Sequence, residues 1–145
     1  MPQTPQTYQN HRRNFPLFHF FVVPIFLINV LGSAWMAIQT PVFITIWGAV
    51  MAVALLGLAL ATRLMITTVQ DRLIRLEMRL RMADVLPADL KGRINELERS
   101  QFVALRFASD AELPDLVRDV LAGNLKSSNA IKQRVKNWQA DYLRA

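Results

Sequence analysis

VFITIWGAVMAVALLGLALATRLMITTVQDRLIRLEMRLRM, residues 42–82, lies in a stretch with no proline between Pro41 and Pro87 and only two glycines, Gly48 and Gly57. Those residues predict one uninterrupted α-helix roughly 60 Å long, about twice the hydrocarbon thickness of a bilayer. Half of it must therefore stand in water. Taking every third and fourth residue gives a single seam: Thr45, Gly48, Ala52, Leu55, Ala59, Thr62, Ile66, Val69, Leu73, Leu76 and Leu80. Its first half is mostly small and its second half large and aliphatic. Helices in lipid pack through small residues, whereas helices in water associate by burying large ones. Gly48, Ala52, Ala59, Ile66, Val69, Leu73, Leu76 and Leu80 are accordingly the candidate association residues.

Upstream, Phe15 to Ile38 is a run of 24 residues without Lys, Arg, Asp or Glu, long enough for another span. Pro24 should kink that helix or loosen a turn. The run is too long for a signal peptide and ends without a small-x-small cleavage site, so a retained anchor is expected. The connection Gln39-Thr40-Pro41 is short. Thr40 as N-cap and Pro41 as a first-turn proline would start the second helix at once, closing an antiparallel hairpin with Trp35 and Trp47 at one level. Basic residues set the orientation. Arg12 and Arg13 precede the first span, none lies in the turn, and fifteen occur from Arg63 onward, so both termini are expected in the cytoplasm.

The expected fold is all-α: a transmembrane helical hairpin whose second helix extends into the cytoplasm, followed by a small helical tail domain. Residues 1–14 form a polar arm expected to be poorly ordered or extended. The hairpin occupies 15–66 with spans near 15–38 and 42–66, the extension 67–85, and the tail 86–145. Ile74, Met78 and Met82 form a second apolar strip on the extension beside the Ile66 to Leu80 seam, and both should be covered, one by a sister helix and the other by the chain's own tail. An intrachain alternative has the whole seam receive the first span and the tail. Leu90, Ile94 and Leu97 share one face of the first tail segment. Ser109 and Glu112 have capping-box spacing, Gly123 is a C-cap, and a last helix from Ser127 or Ser128 presents Ile131, Val135 and Trp138.

The net charge of +6 combines seventeen basic residues with eleven acidic ones, all of the latter at or beyond Asp71 and mixed with Lys and Arg. Mixed charge without a segregated basic face argues against nucleic acid. No cysteine exists, which excludes thiolate metal sites and cysteine nucleophiles. Both histidines, His11 and His19, fall in or beside the first span, and no phosphate loop, paired-histidine motif or serine elbow occurs. Asp110, Glu112 and Asp115 lie at a helix start, where carboxylates favour the dipole. The expectation is a protein without enzymatic activity, cofactor or metal. Intramembrane His19 and Asn29 read as hydrogen-bonded polar groups, and Arg12, Arg13 and Arg63 as contacts to lipid headgroups.

Tyr8-Gln9-Asn10-His11-Arg12-Arg13 with Pro16-Leu17-Phe18-His19-Phe20, Val69-Gln70-Asp71-Arg72 with Ile74-Arg75-Leu76-Glu77, Leu86-Pro87-Ala88-Asp89-Leu90 and Leu105-Arg106-Phe107-Ala108-Ser109-Asp110 resemble an uncharacterised family of small bacterial inner-membrane proteins. The resemblance implies two spans, a helical cytoplasmic tail and a bacterial plasma membrane, and carries no activity. From the residues, the expected function is a self-associating scaffold or accessory subunit of a membrane complex, with lipids and further copies as partners. Its rivals are a small channel or transporter component using Asn29, Thr45 and Thr62, and an electron-transfer partner using His19.

Overall fold

The computed structural model describes residues 6–10 and 15–141. Among these the chain is all-helical, and one isolated antiparallel bridge, Ala108 with Trp138, stands in place of a sheet. Six α-helices follow in order: α1 (Val23–Gln39), α2 (Phe43–Val85), α3 (Ala88–Lys91), α4 (Arg99–Leu105), α5 (Leu113–Leu121) and α6 (Ser128–Arg134). Of the described residues, 15–68 belong to one compact unit, and 6–10 with 69–141 belong to another.

In the first unit, α1 is preceded by a π-helical segment, Leu17–Val22, in which the Val23 N–H reaches back to the Phe18 carbonyl. Pro24 is the cause. It has no N–H to give and its ring crowds the carbonyl four residues back, so the preceding turn widens, as the sequence predicts. The connection differs in detail from expectation. Thr40 closes α1 through its N–H on the Met36 carbonyl (2.9 Å), and α2 begins only at Phe43. The residue before a proline is pushed out of the helical region, and Thr40 sits at φ −137°, ψ 82°. The cap comes from Thr45, whose hydroxyl accepts from the Val42 N–H (3.2 Å) and donates to the Thr40 carbonyl (2.6 Å). The two helices run antiparallel: the Arg63 guanidinium, twenty residues into α2, lies 5.9 Å from the ring centroid of Phe18 at the start of the first helix. Leu17–Gln39 and Phe43–Val85 are both long and apolar enough to cross a membrane.

The second unit gathers its core from α2 and everything after it. Ile74, Met78 and Met82 recur at intervals of four residues on α2, and all are buried, Met82 completely. They meet Leu86, Leu90, Ile94, Leu97, Phe102, Leu105, Leu113, Leu116, Val117, Val120 and Ile131 in one cluster. The tail therefore covers this strip. Complete burial of a side chain such as Met82 is worth about 1.5–3 kcal/mol, which is why four short helices hold together on one long one.

Caps stop and start these helices. Glu98 and Gln101 form a capping box at α4, and the Ser127 hydroxyl accepts from the Ala130 N–H (3.1 Å) at α6. α5 ends with Gly123 at φ +80°, its N–H on the Val120 carbonyl and the Asn124 N–H on that of Asp119, both 3.0 Å. That is a Schellman closure in the left-handed region that favours glycine. Gly123→Ala is expected to lower tail stability by roughly 1–2 kcal/mol, read from the urea midpoint.

Trp138 departs from the predicted helix face. α6 ends at Arg134, Val135 turns extended, and Trp138 stacks on Phe107 with centroids 4.5 Å apart. The reason is Glu112, whose carboxylate accepts from the backbone N–H of Lys136 (3.0 Å) and Asn137 (3.1 Å), donors that a longer helix would have used internally. The described part of the arm, residues 6–10, also departs from expectation, while 1–5 and 11–14 lie outside the described residues. The Gln6 carboxamide oxygen accepts from the Asp141 N–H (2.8 Å) and the Tyr8 hydroxyl from the Gln133 side chain (3.1 Å), so residues 6–10 dock on the C-terminal segment. Polar side chains with no periodicity gave no warning of either contact.

Candidate interaction surface on the long helix

Most charged groups of the second unit are committed to holding it together. Arg81, on α2, donates to the Asp110 carboxylate (2.6 Å) and the Ala108 carbonyl (2.7 Å). Arg106, almost fully buried, forms an ion pair with Asp141 at 2.9 Å and lies 4.3 Å from the Phe107 ring centroid. Asp115 meets Arg118 at 3.1 Å. Asp110, Glu112 and Asp115, close together in sequence, thus turn to three different partners and do not converge. Among the described residues no group of three or more His, Cys, Asp or Glu is placed to hold a metal ion. The exposed Glu96 carboxyl is held below its ordinary range by the hydrogen bond from Arg93, three residues away on the same turn, and this is a local pair and no catalytic dyad. An open recess of about 600 Å³ between Ser109, Asp110 and residues 136–139 has its carboxylate, Asp110, already taken by Arg81.

What remains uncommitted is the other side of α2. At 100° per residue, Val69, Leu73, Leu76 and Leu80 fall on a face about 170° round from Ile74, Met78 and Met82. The difference in burial is large: Leu73 and Leu76 are 54% and 56% exposed, against 5% for Ile74 and 3% for Met78. Val69 and Leu80 are exposed as well, so the tail does not cover this part of the seam: it covers the opposite face. Flanking the row, Arg72 and Arg79 lie on one side and Gln70, Glu77 and Asp84 on the other. Arg79 also donates to the Asn95 side chain at 2.6 Å.

The remaining predicted residues fall in the first unit. Ala52 is buried, whereas Gly48 and Ala59 are partly exposed, and a Cβ added to Gly48 would meet open space. Ile66 is exposed. Sequence periodicity ran these together with Leu73, Leu76 and Leu80, because spacing is the same whether a residue faces its own chain or nothing. Asn29 is exposed, and its side-chain oxygen accepts from the Ser33 hydroxyl on the same helix at 3.5 Å, its one side-chain hydrogen bond among the described residues. The Thr62 hydroxyl is satisfied by the Leu58 carbonyl (2.8 Å), and His19 Nδ1 lies 3.0 Å from the Phe15 carbonyl. Arg12 and Arg13 lie outside the described residues.

A family model matches the chain over residues 1–145. The chain belongs to the family of unknown function DUF6526. Membership in DUF6526 agrees with the resemblance carried by residues 8–20, 69–77, 86–90 and 105–110, and supplies no activity to transfer. No curated protein and no solved structure matches the chain.

Proposed function

We propose that this DUF6526 protein is a non-catalytic membrane protein, a self-associating scaffold or accessory subunit, held in a bacterial plasma membrane by the hairpin of α1 and α2 with both termini in the cytoplasm. The observation that carries association is the exposed row Val69, Leu73, Leu76 and Leu80, spaced 4, 3 and 4 residues apart on a helix whose opposite face is fully covered. Membrane placement is supported by the first unit, whose large side chains point outward: Phe20, Ile28, Ile38 and Phe43 are 68–80% exposed. A unit with that surface in water would aggregate. Asn29 strengthens the association reading, since an amide facing lipid with one long contact is costly and is normally relieved across a helix interface.

A water-side row of about two heptads is short for a coil between free peptides. Anchored copies meet the problem differently, because confinement to one membrane raises the effective concentration of the row without any new contact. The test is the mass of the purified full chain in lipid nanodiscs or mild detergent, by multi-angle scattering. A species of at least two copies is expected, and a strict monomer at every protein-to-lipid ratio would remove the proposal.

A further inference from the structure

We infer that the occupant of the Val69–Leu80 face is a second copy of this chain, parallel and in register, selected by ion pairs between Arg72 and Glu77 and between Arg79 and Asp84 of the two copies. The inference rests on the association reading above and goes beyond it by fixing partner, direction and register. With Leu73 and Leu80 at heptad position a, the residues Val69, Leu76 and Ala83 fall at d. Arg72 and Arg79 then occupy g, and Glu77 and Asp84 occupy e. In a parallel in-register pair, each g residue faces the e residue five positions on in the other copy. Those offsets are 72 to 77 and 79 to 84, so a basic group meets an acidic one at both levels and on both sides of the seam. Reversing one helix would set arginine against arginine and carboxylate against carboxylate.

The side chains are free to act this way. Arg72, Glu77 and Asp84 are all exposed and appear in no ion pair among the described residues, whereas Arg79 is partly buried, with its Nε enclosed and one terminal nitrogen on Asn95, which leaves its other terminal nitrogen for a partner. A second argument reaches the same direction without the charges. Copies inserted alike in one bilayer are related by an axis along its normal, so equivalent helices leaving the membrane run parallel.

The protein has no cysteine, so Ala83→Cys, at an exposed d position, gives a single reporter in the full chain. In proteoliposomes, mild oxidation should link two copies of Ala83→Cys. Adding Arg72→Glu or Glu77→Arg should lower the linked fraction, reflecting a roughly five- to tenfold loss in association. The double variant Arg72→Glu with Glu77→Arg should recover it. So should a mixture of the two single variants, in which every facing pair is again of opposite sign. Far-ultraviolet circular dichroism of each variant should match the parent, because both residues are exposed. If scattering shows an oligomer while Ala83→Cys fails to link, or while the reversals have no effect, the parallel register is wrong and association stands. If the parent is monomeric by scattering and unlinked, both fall together.

Discussion

Leu73→Asp combined with Leu76→Asp is expected to leave the full chain monomeric in nanodiscs while the tail melts where the parent's does. The two halves of that result have separate causes. In an associated pair each of four leucines would leave water, worth about 1.5–3 kcal/mol apiece, and carboxylates placed there would face one another across an apolar seam. The summed loss exceeds about 5 kcal/mol, or at least a thousandfold in the association constant. Within one copy, by contrast, Leu73 and Leu76 are more than half exposed, and exposed substitutions typically change stability by no more than about 0.5 kcal/mol. Met78→Asp supplies the contrast. It lies two residues from Leu76 on the same helix but is 3% exposed, so its carboxylate would enter the core and unfold the tail. If the Leu73 and Leu76 variant melts like Met78→Asp, the row is a core and not a surface. If it melts like the parent and still associates, the contact lies elsewhere.

The sequence made the helices legible where a local signal and a burial pattern agreed. Leu90, Ile94 and Leu97 are all buried, although they stand on α3, on a separate 3-10 turn (Ile94–Glu96) and on the extended residue after it and not on one helical face. Ser127 caps the last helix with its own hydroxyl and Gly123 closes α5, because each of these is decided within a turn or two of chain. The two apolar strips on α2 were also readable from spacing alone. Which strip the tail covers needed the fold to establish. Long-range polar contacts were not readable. Nothing near Gln6 hints that it will meet Asp141, 135 residues away, and Trp138 continues the apolar spacing of Ile131 and Val135 while standing outside the helix. The capping box expected at Ser109 and Glu112 formed only in part: Glu112 accepts from the Ser109 N–H at 3.2 Å, while the Ser109 hydroxyl is buried without a hydrogen-bond partner. For the interaction surface, the residues were legible and their exposure was not, since periodicity identifies a face without saying what lies against it.

Glu112→Ala is expected to release the segment from Lys136 to Asp141 and to lower tail stability by about 3 kcal/mol. One carboxylate receives three backbone N–H groups, those of Ser109 (3.2 Å) and Asn137 (3.1 Å) on Oε1 and that of Lys136 (3.0 Å) on Oε2. Two of them lie 24 and 25 residues away, so the side chain does for this segment what a neighbouring strand would do in a sheet. The contacts it positions are apolar and ionic together: Trp138 on Phe107, the Gln139 N–H on the Phe107 carbonyl (2.7 Å), and Asp141 on Arg106. Loss of the carboxylate leaves the Lys136 and Asn137 amides to water and lets Trp138 lift from Phe107, uncovering a fully buried ring. Hydrogen exchange at residues 136 and 137 should accelerate by at least about tenfold, and Trp138 emission should shift to longer wavelength, read in a variant with Trp35 and Trp47 replaced by Phe. Glu112→Gln separates charge from shape. It keeps the length and one carbonyl acceptor but turns an NH2 toward an N–H, so it should fall between parent and Ala. Were Glu112→Gln indistinguishable from the parent, the three amides would be satisfied without the carboxylate, and the strap would owe its place to Trp138 and Asp141 alone.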